Sequence, residues 1–146
     1  MSRAVLALAC ALATSASSLS VADMATAAPP APPIQRCMNL SGALEAAYEG
    51  EWGYTVRRED IDRLADAGFD TIRLPVRWSA SAGNWGRYKL DRKMLARPDE
   101  IIDYALARDL KVILNVHHYY ELNSRPSRHE RRLEAIWKQL AAHYES

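Results

Sequence analysis

The chain has 146 residues, a formal net charge of +1 and 49% hydrophobic residues, a composition typical of a folded globular protein. Its near-neutral charge provides no basic surface for nucleic acid and no attraction to an anionic membrane. We therefore expect neither nucleic acid nor a membrane as a partner.

Residues 1–27 are predicted to be an export signal. "MSR" supplies a positive charge, and "AVLALACALA" is an apolar core too short to span a bilayer. The alternative is a disordered tail rich in Ala and Ser. A signal implies a secreted or periplasmic protein. "APPAPP" lies in a stiff Pro-rich linker, residues 28–35. The remaining residues, 36–146, hold the single cysteine Cys37 and form one domain at most.

Alternating strand and helix signals follow the linker. Residues 36–40 form a plausible first strand. Apolar spacing predicts a helix over 56–68, with Thr55 as its cap and Gly68 at its end. "DTIRLPV", residues 70–76, is β-branched and short, which favours a second strand.

A second helix is predicted from Pro98 to Arg108, because proline is well tolerated in a first helical turn. "LKVILNV", residues 110–116, reads as a strand covered on both faces. "SRHE", residues 127–130, is predicted to be the capping box of a third helix. This order favours parallel strands with right-handed crossovers. Since no Gly-x-Gly-x-x-Gly motif is present, a (β/α) barrel is favoured over a dinucleotide-binding fold.

Two adjacent histidines, His117 and His118, follow the third strand. If the strand continues through them, their side chains point to opposite faces and do not share one metal ion. A hydrogen-bonded structural pair is one alternative. A functional site is favoured, because barrel enzymes place their sites at the ends of strands.

Arg73 is a charged residue between Ile72 and Leu74 in an apolar strand. The apolar neighbours are expected to pack on helices, which directs Arg73 into the barrel towards an acidic partner. The alternative is an outward, snorkelling arginine. Several loop aromatics would suit the apolar faces of sugar rings, although each one taken singly favours packing: Trp52, Tyr54, Trp78, Trp85, Tyr88, Tyr119 and Tyr120.

Three segments together resemble glycoside hydrolase family 5, the cellulase-type family. They are "MNLSGALEAAYEGEWGYT", "GFDTIRLPVRWSA" and "VILNVHHYYELNSRP", and the resemblance covers residues 36–146. It implies an α/β fold, the (β/α)8 TIM barrel, of which this chain holds about the first three units. It also implies retaining hydrolysis of O-glycosyl bonds in a β-linked polysaccharide, a cellulose-like β-1,4-glucan or a mannan, without a metal or an organic cofactor.

The resemblance also implies roles for individual residues. Arg73 matches the arginine after the second strand of the family, which supports the nucleophilic carboxylate. His117 matches the active-site histidine, and His118 lines the sugar subsite beside it. Glu45 matches a glutamate that contacts sugar. Gly42 departs from the family, because an asparagine commonly stands there.

The family mechanism needs two glutamates, which follow the fourth and seventh strands, and the first of them lies in an Asn-Glu-Pro turn. The sequence contains no Asn-Glu pair, and nothing makes Glu45 and Glu121 a substitute pair. We therefore interpret the chain as the N-terminal part of a secreted hydrolase, inactive by itself. The alternative is a non-catalytic carbohydrate-binding remnant or an inert fragment.

Overall fold

The computed structural model of the chain describes residues 33–83, 86 and 88–145. The predicted signal (residues 1–27), most of the predicted linker and Trp85 lie outside these residues. Residues 33–35, at the end of that linker, have no regular secondary structure.

Three parallel strands form the sheet: β1 is Cys37–Asn39, β2 is Thr71–Val76 and β3 is Lys111–Val116. They lie in the order β1-β2-β3, with Asn39 beside Arg73 and Val76 beside Val116. The predicted parallel arrangement is therefore confirmed. All three carboxyl ends lie at the same edge of the sheet, where barrel enzymes place their sites.

The helices are α1 (Arg58–Asp66), α2 (Arg92–Ala107), α3 (Tyr120–Ser124) and α4 (Pro126–Tyr144), and a 3-10 turn spans Trp78–Ala80. The short helix α3 has no counterpart in the sequence analysis. Within the described ranges, no helix is long and apolar enough to cross a membrane.

Helix α1 begins differently from the prediction. Thr55 does not cap it. Arg57 occupies the N-cap position, and its backbone N–H donates to the Asp60 carboxylate over 3.1 Å. The acid at the third helical position thus satisfies a backbone donor that has no partner within the helix. Gly68 has φ +78°, so the predicted left-handed glycine after the helix is confirmed.

Helices α2 and α4 begin before their predicted starts. The carboxylate of Asp91 accepts from the backbone N–H of Lys93 over 3.0 Å and caps α2, which places Pro98 inside the helix and buried. Helix α4 begins at Pro126 with no side-chain cap, so the predicted capping box of residues 127–130 is wrong.

The core lies between the sheet and the helices. Ile72, Leu74 and Val76 of β2 are almost fully buried, together with Ile61 of α1 and Ile136 of α4. Strand β3 is only half-buried along its length, so the prediction that both of its faces are covered is wrong for the described residues. The outward packing of the apolar set of β2 leaves Arg73 on the other face of the sheet, as predicted.

Candidate active site

The histidines lie beyond the end of β3. The backbone N–H of His117 donates to the carbonyl of Val76 over 2.8 Å, which extends the contact between β2 and β3 past Val116. His118 then has φ +48°, a left-handed conformation that is uncommon for a residue with a side chain. The two ring centroids lie 4.2 Å apart. The expectation that the rings point to opposite faces is therefore wrong, because the chain leaves the extended conformation between them.

Asn115 connects the histidines to the loop after β2. Its side-chain amide lies 3.3 Å from His117 Nδ1, and its backbone carbonyl accepts from the indole N–H of Trp78 over 3.2 Å. Trp78 is fully buried, so it is a packing residue and not a sugar platform. The buried indole thus holds the strand end from which the imidazole of His117 projects.

Glu45 lies beside the two histidines. It is only 8% exposed, and its carboxylate and one ring nitrogen of each histidine lie within 4.8 Å of one another. One oxygen, Oε2, has no hydrogen-bond partner among the described residues. A buried acceptor without a partner is costly, so this oxygen is available for a ligand.

The electrostatic surroundings favour the neutral form of His117. Burial lowers the pKa of its imidazole, and the nearby His118 and Arg73 lower that pKa further, whereas Glu45 raises it. A neutral imidazole offers one donor and one acceptor. His117 is therefore suited to hydrogen bonding with hydroxyl groups, which donate and accept in turn.

Arg73 lies inside β2, and not after the strand as the resemblance suggested. Its guanidinium donates to Oδ1 of Asn39, its neighbour on β1, over 3.2 Å. The sequence led us to expect an acidic partner for Arg73, but none is found among the described residues. The Arg73 side chain instead donates its hydrogen bond to the neutral amide of Asn39. The guanidinium is half-buried and lies close enough to His117 to affect the pKa of that imidazole.

Two exposed aromatic residues flank His118. Tyr120 stacks on its ring with centroids 5.3 Å apart and 18° between the planes, and Trp52 meets it edge-on at 5.9 Å. Both side chains are 50% exposed. The guanidinium of Arg77 lies 5.0 Å from the centroid of the Tyr120 ring, a cation–π contact. Trp52 and Tyr120 remain candidates for contact with sugar.

Of the other predicted loop aromatics that the structure describes, Tyr119 and Tyr54 are packing residues. Tyr119 is 4% exposed, and its hydroxyl accepts from Arg132 over 3.3 Å. Tyr54 donates to the Asp60 carboxylate over 2.9 Å, and burial raises the pKa of its phenol to about 12. Tyr88 is half-buried and has φ +48°.

Sequence reasoning missed Asn39, Arg77 and Asn115. Asn115 could have been suspected, because it is a polar residue in an otherwise apolar strand, two positions before His117. Arg77 follows β2 directly, in the position where barrel loops carry function. Asn39 could be assigned only once its register with Arg73 was seen.

Gly42, a departure from the family pattern, has φ +87°. Asparagine is one of the few residues besides glycine that tolerate this region. Glycine adopts this backbone conformation without strain and provides no polar side chain at this position.

The sequence model of the family described as Cellulase (glycosyl hydrolase family 5) matches residues 36–146. Endoglucanase A of Ruminococcus albus is 34% identical over 112 residues, which cover 73% of this chain and 31% of that protein. Endoglucanase H of Acetivibrio thermocellus is 32% identical over 108 residues, covering 74% of this chain and 12% of the relative.

Solved structures give the same result. Cel5A of Thermotoga maritima, crystallised with cellobiose, superimposes with a TM-score of 0.76 and 42% identity, over 77% of this chain and 39% of that enzyme. The same enzyme crystallised with mannotriose superimposes with a TM-score of 0.74 over 76% of this chain and 36% of the other. The three-stranded sheet is thus part of a (β/α)8 barrel, and the chain spans well under half the length of these relatives. The chain belongs to the cellulase family, glycosyl hydrolase family 5.

Proposed function

We propose that residues 36–146 form the sugar-binding side of the active site of a retaining β-1,4-glucan hydrolase. The observation that carries the proposal is the convergence of Glu45, His117 and His118, whose polar atoms lie within 4.8 Å of one another beside Arg73. Endoglucanases and a cellobiose complex among the similar proteins support a β-1,4-glucan as substrate. The mannotriose complex makes β-mannan the second substrate to test.

In this proposal each residue has a distinct role. Neutral His117 exchanges hydrogen bonds with sugar hydroxyls, and the free oxygen of Glu45 accepts from another hydroxyl. Trp52 and Tyr120 cover the apolar face of a sugar ring. Arg73 keeps the nucleophilic carboxylate of the complete barrel ionised and oriented, because a nearby guanidinium favours the charged form.

Hydrolysis itself requires two carboxylates about 5 to 5.5 Å apart in a retaining enzyme. We infer that they belong to the complete barrel and that the 146-residue chain binds sugar without cleaving it. Titration of cellotetraose into the chain, followed by NMR of the imidazole protons, should give saturable shifts at His117 and His118 without release of reducing sugar. Shifts confined to His129 and His143, or turnover by the pure chain, would contradict the proposal.

A non-catalytic carbohydrate-binding role is the second candidate. It is favoured by the exposed pair Trp52 and Tyr120 together with the lack of an Asn-Glu pair in the sequence. The two candidate functions can be distinguished by assaying the protein purified at its natural length from its source. Binding of cellotetraose with hydrolysis supports the enzyme, and binding without hydrolysis supports the second role.

We also propose that residues 1–27 direct export and that the mature protein is secreted or periplasmic. Mass spectrometry of the protein from its source should find a new N-terminus near Ala28, and recovery of intact Met1 in the cytoplasm would contradict export.

A further inference from the structure

Glu45, His117 and His118 form a set of metal-ligand types. A carboxylate oxygen and two imidazole nitrogens, all within 4.8 Å of one another, are a donor set found in zinc sites that keep one position open. Tetrahedral coordination at bond lengths of about 2.0–2.1 Å places neighbouring ligand atoms about 3.3 Å apart. Side-chain adjustments of roughly an ångström would therefore bring the three atoms onto one ion.

The backbone brings the two imidazoles together, and a buried oxygen without a partner indicates a ligand at this place. His118 holds φ +48°, an unfavourable backbone conformation that brings its ring to the same side as that of His117. Glu45 is only 8% exposed, and its Oε2 has no hydrogen-bond partner among the described residues. A divalent cation would satisfy this buried oxygen.

Asn115 is placed to orient the first imidazole. Its amide nitrogen lies 3.3 Å from His117 Nδ1, and its amide oxygen is buried without a partner in the described part of the chain. Rotation of the amide by 180° brings the oxygen to Nδ1, where it accepts a hydrogen bond from an Nδ1–H group. That tautomer leaves Nε2 free as a ligand. Metal-bound histidines commonly donate their second N–H to an oxygen in this way.

Nearby charges both favour and oppose the binding of a divalent cation. The carboxylate of Glu45 compensates part of the charge of a divalent ion, whereas the guanidinium of Arg73 lies near enough to oppose it. Two imidazoles and one carboxylate suit Zn²⁺ and its neighbours in the first transition row, and do not suit Ca²⁺ or Mg²⁺, which prefer oxygen ligands alone.

We propose that Glu45, His117 and His118 bind Zn²⁺. The ion occupies the position assigned above to sugar hydroxyl groups, so zinc and cello-oligosaccharide compete for the site. This competition rests on the proposed function, whereas zinc binding by the three residues does not.

The test is calorimetric titration of Zn²⁺ into the untagged mature chain, residues 28–146, with Co²⁺ absorption as a second readout of tetrahedral coordination. One ion should bind per chain. Glu45→Gln, His117→Gln and His118→Gly should each weaken binding at least about tenfold, and glycine at residue 118 also accepts the positive φ. Asn115→Leu should weaken binding about 10- to 100-fold, as loss of an orienting partner does.

His143→Ala is the matched control. His143 lies on α4, with Nε2 2.9 Å from Asp99 Oδ1, and this pair is another histidine–carboxylate site. Unchanged binding in the control with weakened binding in the site variants supports the proposal. The proposal would be overturned if only the control lost zinc binding or if every variant kept it. It would also be overturned if the unchanged chain gave neither saturable heat with Zn²⁺ nor a saturable absorption change with Co²⁺. Circular dichroism of each variant shows whether the fold is kept.

Cellotetraose then separates the two proposals. Zinc binding that weakens as sugar is added supports both. Zinc binding that sugar leaves unchanged supports the metal site and counts against sugar at this position.

Discussion

Trp78→Phe tests the link between the core and the candidate site. Trp78 is fully buried, and its indole N–H donates to the carbonyl of Asn115 over 3.2 Å. Phenylalanine removes this donor, and losing one hydrogen bond from a carbonyl that the β2–β3 pairing also engages costs about 0.5–1.5 kcal/mol. The smaller ring also leaves a cavity, which adds about 1 kcal/mol at roughly 24 cal/mol per Å³ of residual volume. We therefore expect the free energy of unfolding to fall by about 1.5–2.5 kcal/mol.

Urea denaturation followed by far-UV circular dichroism measures this change without depending on indole fluorescence. Trp137→Phe is the matched control, because Trp137 is 41% exposed on α4 and its replacement should change stability by no more than about 0.5 kcal/mol. Trp78→Phe should also shift the NMR signals of His117, because Asn115 contacts both Trp78 and the His117 ring. Equal stability losses in both variants, or unchanged His117 signals, would refute the reasoning.

Other parts of the chain give further expectations. The pKa of Asp70 is lowered to about 2, chiefly by the backbone N–H of Gln35. The stability that this carboxylate contributes should be present above about pH 4 and be lost as pH falls towards 2. Acid titration of the Asp70→Asn variant should lack this loss of stability. Gly42 has φ +87°, so thermal denaturation should show Gly42→Val clearly destabilised and Gly42→Asn nearly unchanged; equal melting temperatures would contradict this. Arg97 binds Glu49 with a 2.7 Å contact in a partly buried ion pair, and Arg97→Lys should lower stability by about 1–2 kcal/mol because lysine lacks the planar fork; a denaturant midpoint equal to that of the unchanged chain would contradict it.

The sequence predicted the strands better than the helix starts. Each predicted strand lies within one or two residues of its observed bounds. For β2 and β3 the reason is that short β-branched runs bounded by polar residues are distinctive. The predicted start of α2 was wrong, because a proline tolerated in a first turn is also found inside this helix, which Asp91 caps further towards the N-terminus. The structure buries Pro98 inside the helix, and this packing offsets the cost of a missing backbone hydrogen bond.

The site shows the same division. Residue types and the family resemblance predicted Arg73, Glu45 and both histidines as site residues, and the structure brings Glu45 and the histidines together. The relative direction of the two imidazoles was not predictable, because it depends on the left-handed backbone of His118 and no local rule assigns that conformation to histidine. The position of Asn115 in an apolar strand could have suggested a role, but its contacts with Trp78 and His117 depend on the tertiary structure.

The most direct test of the central claim is steady-state kinetics of a chimera. Residues 36–145 of this chain would replace the matching part of Thermotoga maritima Cel5A, which is 42% identical. The chimera should hydrolyse β-1,4-glucan. Arg73→Ala should lower kcat by about 10²- to 10³-fold with little change in KM, because an electrostatic contact to the reacting carboxylate is lost. Unchanged kcat with a raised KM, or a folded chimera without activity, would contradict the account.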